Sequence, residues 1–92
     1  MPRAADKREL RRRALALLDA ELAQLRAAGQ ERLRELAANS PFTAERDGIA
    51  LTSHVDREGE SVLVLVEAQR GRRTFGTGGF VMRPDGTTYT PH

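Results

Sequence analysis

The chain has 92 residues, 39% hydrophobic, 30% charged and only 4% aromatic, which is the size and composition of one globular domain slightly poor in large core side chains. It holds no cysteine, so disulfide staples, thiolate metal sites, Fe–S clusters and thiol catalysis are excluded. The net charge is +2, from 15 basic and 13 acidic residues, and both ends are basic while the middle, residues 14–69, is acidic.

Met1–Arg13 is basic and continues into charged sequence, not into the apolar run of about 7 to 15 residues that a secretory signal needs. The longest strongly apolar run, Val62–Val66, is far shorter than the roughly 20 residues of a membrane span. The expectation is a cytoplasmic chain without a membrane segment, folded as one domain over residues 1–92 with a basic tail at 1–6, a helix at 7–38 and a sheet at 48–90.

At 100° per residue, Leu10, Leu15, Leu17, Leu18, Leu22, Leu25, Leu33 and Leu36 fall within an arc of about 160°. Ala, Leu, Arg, Glu and Gln dominate this stretch, and all favour helix. Asp6 with Glu9 three residues on resembles a capping box, so one helix is expected from Lys7 to Ala38, ended by Asn39, Ser40 and Pro41. Gly29 falls inside the apolar arc. Because the leucines keep their phase across it, close packing at Gly29 is the favoured reading and a helix break the alternative.

After a short loop through Phe42 the period drops from 3.6 to 2 and β-branched residues take over. Ile49, Leu51 and Val55 alternate with Ala50, Thr52 and His54 as a first strand, and Asp56–Gly59 reads as a turn. Ser61–Gln69 is the second strand, Arg70–Arg72 the next turn and Arg73–Met82 the third strand. Pro84, Asp85 and Gly86 turn the chain into a short fourth strand at Thr87–Thr90. The fold class is α+β, one long N-terminal helix packed on a three- or four-stranded antiparallel meander.

This order, a long helix followed by a curled antiparallel sheet, resembles the cystatin-like architecture, although no inhibitory motif of the cystatins can be matched. A long helix followed by three strands is also similar to the opening of the nucleoid-associated YbaB-like family over Lys7 to about Gln69. That family's second helix after the sheet is absent here.

In the second strand Val62, Val64 and Val66 point one way and Leu63 and Leu65 the other. One helix covers one face, so the second apolar face calls for a partner. The expected interface is Leu63, Leu65, Phe75 and Val81, and a homodimer is expected, with Phe80 and Met82 on the opposite face.

No constellation points to catalysis. Gly76, Thr77, Gly78 and Gly79 lead into a strand and not a helix, and no lysine follows, so they read as a bulge or a close approach and not a phosphate cradle. Ser53 and His54 point to opposite faces. His54, Asp56, Glu58 and His92 make a poor metal set, and Asp47, Asp56, Glu58 and Glu60 lie in or beside turns. No catalytic residue, metal or cofactor is expected. The basic residues carry the remaining signal: Arg11, Arg12 and Arg13, with Arg3, Lys7 and Arg8, at one helix end, and Arg70, Arg72 and Arg73 at a hairpin turn.

The sequence therefore reads as a small non-catalytic interaction or adaptor protein, dimeric and bound to another protein. The alternative is a sequence-tolerant nucleic-acid binder using the two arginine clusters. A small-molecule carrier is a third reading, requiring Gly29 and the glycines after Phe75 to line a cavity between helix and sheet.

Overall fold

A computed structural model describes residues 4–91. Its elements are α1 (Ala4–Ala28), α2 (Gln30–Ala37), β1 (Phe42–Arg46), β2 (Ile49–Glu58), β3 (Ser61–Arg70), β4 (Arg73–Met82) and β5 (Thr88–Tyr89). The five strands form one antiparallel sheet in the order β1-β2-β3-β4-β5, so the α+β class and the meander stand, with one strand more than expected.

The helical half differs from expectation at its start and in its interior, while it ends at Ala37, one residue from the expected Ala38. The chain is already helical at Ala4, which places Asp6 inside the first turn and not at its cap; residues 1–3 of the expected tail lie outside the described residues. In the interior the helix breaks at Gly29, whose φ of 85° and ψ of 163° are open almost only to glycine. A Cβ built there would meet nothing within 4 Å, so backbone geometry, not close packing, requires this glycine. The leucine phase persists because α2 resumes the same face, with Leu33 fully buried and Leu36 packed against the core.

α1 packs along β4 and β3, and α2 covers β2. Together they bury the side chains that alternation aims inward: Leu51 and Val55 from β2, Val62, Val64 and Val66 from β3, Phe80 and Met82 from β4. The close approach sought at Gly29 is found on the strand. A Cβ on Gly76 would lie 2.7 Å from a Leu15 methyl, and one on Gly78 would lie 2.7 Å from a Leu22 methyl. These leucines fill the space that strand side chains would occupy, so no cavity opens between the layers there.

Where periodicity alone reads a loop, the structure has β1. It pairs with β2 from Phe42 opposite Ser53 to Arg46 opposite Ile49, through a two-residue turn in which Asp47 has φ 52° and Gly48 φ 77°. Two positive φ values match the twist of antiparallel strands and mark a tight hairpin. The next turn is narrower than expected, because β2 runs on to Glu58.

One register shift decides a side chain's face. Ala68 pairs with Gly76 and Gln69 with Thr74, so Phe75 is the extra residue of a bulge. It is buried in the core cluster with Phe80, on the helix side and not with Leu63 and Leu65. Simple alternation places Phe75 on the outer face; the bulge turns it inward.

Candidate interaction surfaces

The helices cover one face of the sheet, leaving the other without a layer. Along β3 this outer face carries Leu63, opposite Asp56 on β2 and Val81 on β4, and Leu65, opposite His54 and Gly79. Val81 in turn pairs with Tyr89 of β5. Leu63, Leu65, Val81 and Tyr89 therefore form one patch. Val81 is only 8% exposed although it lies outside the core cluster, enclosed by its cross-strand neighbours.

Leu65 and Tyr89 are 42% and 44% exposed, and they are the only large apolar side chains among the described residues left so open. A Cβ on Gly79 would lie 2.6 Å from a Leu65 methyl, so Leu65 lies flat across the glycine and widens the patch toward β4. The Arg83 guanidinium sits 4.3 Å from the Tyr89 ring centroid, a cation–π distance. The rim is charged unequally: alternation puts Asp56 and Glu58 on the β2 flank, where both are exposed, while Arg83 borders the β4–β5 flank. His54 Nε2 stands 4.0 Å from Glu67 Oε1. Of the expected interface, Leu63, Leu65 and Val81 share this surface and Phe75 does not.

The second surface lies at one end of the molecule. The α1 side chains of Asp6, Lys7, Glu9, Leu10 and Arg13 line a cleft of about 320 Å³ together with Arg70 of β3. The fold thereby brings two clusters together that are nearly sixty residues apart in sequence. Lys7, Arg8, Arg11, Arg12, Arg13, Arg70, Arg72 and Arg73 are all exposed there. Arg12 pairs with Glu9, and Arg73 lies 5.0 Å from the Phe75 ring centroid. Arg3, the remaining basic residue of the N-terminal cluster, lies outside the described residues.

A second cleft, of about 330 Å³, runs between α2 and β2 and is lined by Arg34, Ala37, Ala38, Val55, Asp56 and Arg57. Neither cleft gathers a nucleophile with a base. Ser53 is buried on the helix side while His54 is half-buried on the outer face, so the two do not meet. Among the described residues no three His, Asp or Glu side chains come together as a metal set, and His92 lies outside them. Asp47, Asp56, Glu58 and Glu60 are exposed. No helix among the described residues is long and apolar enough to cross a membrane.

No family model, curated protein or solved structure matches the chain.

Proposed function

We propose that this chain is a small non-catalytic interaction protein that works by pairing with another protein chain, foremost a second copy of itself, through the outer face of its sheet. The observation that carries this reading is the coincidence of both large exposed apolar side chains, Leu65 and Tyr89, on the one face that no helix covers. Burying such a side chain is worth about 1.5 to 3 kcal/mol.

The rim argues for a second copy. A twofold axis parallel to β3, lying between two facing sheets, sets β2 of one copy over β4 of the other. Asp56 and Glu58 of each copy then approach Arg83 of its mate, so one surface supplies both halves of the charge match. Strands β2, β3 and β4 have ten residues each, which at about 3.3 Å per residue and 4.8 Å between strands gives a face near 30 Å by 15 Å. Two such faces approach the roughly 1,000 Å² at the lower end of specific interfaces, so the expected dimer is reversible and concentration-dependent.

Light scattering over a concentration series tests this. The mass is expected to rise from 10.2 kDa toward twice that value, and Leu65→Arg is expected to hold it at the lower value. Arg83→Glu is expected to weaken pairing, and combining it with Glu58→Arg to restore it. A wild-type mass that stays at the lower value up to millimolar protein would overturn self-pairing. A dimer that survives Leu65→Arg would overturn the face and shift attention to the outer edge of β4, where β5 covers only Val81 and Met82.

A further inference from the structure

We infer that the end formed by the first turns of α1 and the β3–β4 hairpin is a binding site for the phosphate backbone of duplex nucleic acid, read without base specificity. This surface is separate from the outer face of the sheet, so the inference does not depend on self-pairing. Its basis is a convergence created by the fold. Arg13 and Lys7 on α1 and Arg70 on β3 line one cleft, Arg8, Arg11 and Arg12 continue along the helix, and Arg72 and Arg73 continue around the hairpin.

Eight basic side chains face two carboxylates, Asp6 and Glu9, at this end. The rest of the described chain is acidic in balance: residues 14–69 hold ten acidic and five basic groups, and Arg83 and Asp85 cancel. A molecule 49 Å long and 22 by 20 Å across is therefore strongly polarised, with one end suited to a polyanion. Such a field orients the encounter and raises its rate. Arginine supplies fixed pairs of donors that match phosphate oxygens.

The chemistry around the cluster selects the kind of nucleic acid. Sequence-tolerant single-strand binding relies on exposed aromatic rings for base stacking. Phe75, the aromatic nearest this end, is buried in the core, and Tyr89 stands on the outer face beside Val81. What remains is contact with phosphates, which duplexes present in regular rows.

The experiment is fluorescence anisotropy with a labelled random-sequence DNA duplex, the matching duplex RNA and single strands of the same length, between about 50 and 200 mM salt. Duplex binding is expected to exceed single-strand binding and to weaken steeply with salt. Two triple variants, Arg11/Arg12/Arg13→Gln and Arg70/Arg72/Arg73→Gln, are each expected to lower affinity at least tenfold and to reduce the slope of log K against log salt by about 2 to 3. A charge-matched control, Arg32/Arg34/Arg57→Gln, removes three charges elsewhere and is expected to leave binding within twofold.

Equal losses in all three variants would reduce the effect to net charge and overturn the site. No binding at about 50 mM salt, or binding only to anionic lipid vesicles, would also overturn it. Because variants can lose structure, amide shifts of the wild-type protein titrated with duplex give an independent reading. Shifts are expected at residues 7–13 and 70–73, and shifts confined to β2 and the outer face would refute the assignment.

Discussion

Glu21 Oε2 of α1 lies 3.6 Å from Arg46 Nη2 of β1, and among the described residues it is the one buried side-chain oxygen that makes no hydrogen bond. The pair joins the long helix to the sheet's first strand. The carboxylate is nearly enclosed whereas the guanidinium is 42% exposed, so the desolvation cost falls mainly on Glu21. Arg46→Ala leaves that carboxylate alone and is expected to cost about 1 to 2 kcal/mol, several degrees of Tm in a domain of this size. Glu21→Leu is expected to hold or raise Tm, and Arg46→Ala added to it to cost little further. Thermal unfolding of the four proteins decides the matter; equal costs of Arg46→Ala in both backgrounds would mean the two residues do not interact.

Gly29→Ala and Gly78→Ala are both expected to destabilise, for different reasons. At Gly29 the backbone angle is the obstacle, at a cost of about 1 to 3 kcal/mol. At Gly78 the obstacle is the Leu22 methyl 2.7 Å from the added Cβ, an overpacking cost of similar size. Leu22→Ala separates them in a double-mutant cycle. It should absorb part of the Gly78→Ala cost and none of the Gly29→Ala cost, as measured by urea unfolding.

The Asp85 carboxyl is held below the ordinary carboxylate range, first by the Thr87 hydroxyl and then by the Thr87 backbone N–H, both donating to Oδ1 at 2.6 and 2.9 Å, with Arg83 adding attraction. A lowered folded pKa means the contribution is present above the unfolded value of 3.8 and is lost as pH falls through the folded value. Asp85→Asn is therefore expected to loosen the β4–β5 turn at neutral pH and to resemble wild type in strong acid. NMR titration of the side chain, with Tyr89 amide exchange as the readout of β5, checks both halves. A midpoint at or above 3.8 would refute the first.

Phe75→Ala is expected to cost about 3 to 5 kcal/mol, as for a buried aromatic, whereas Leu65→Ala should cost well under half as much in the monomer. Chemical denaturation at low protein concentration provides the comparison. Similar costs would return Phe75 to the outer surface.

The sequence made the alternating strands and the leucine face legible because both rest on local periodicity. Ser61 and Arg73 begin strands where period 2 begins, and Met82 ends one where Pro84 follows. Phe75 was misplaced because a bulge breaks the period that the inference assumed. β1 was missed although Asp47-Gly48 is a strong hairpin signal; Phe42–Arg46 offers too little apolar alternation to draw attention to it. At Gly29 the unbroken leucine phase favours close packing over a helix break, yet a one-residue break preserves that phase, so the phase does not separate the two readings. Glu21 falls at about 20° in the same helical frame, inside the leucine arc, so its burial was readable. The meeting of Arg13 with Arg70 was not, since nothing local says how far along β4 a helix will sit.

That axial position is set by the strand glycines. Leu15 rests in the notch at Gly76 and Leu22 in the notch at Gly78, two fixed stops on the helix-facing side of β4. A slip of one helical turn, about 5.4 Å, would take both leucines out of their notches and draw Arg13 away from Arg70. The charged end thus depends on an indexing device made of absent atoms, so a methyl group added at Gly76 or Gly78 would act on arginines it never touches.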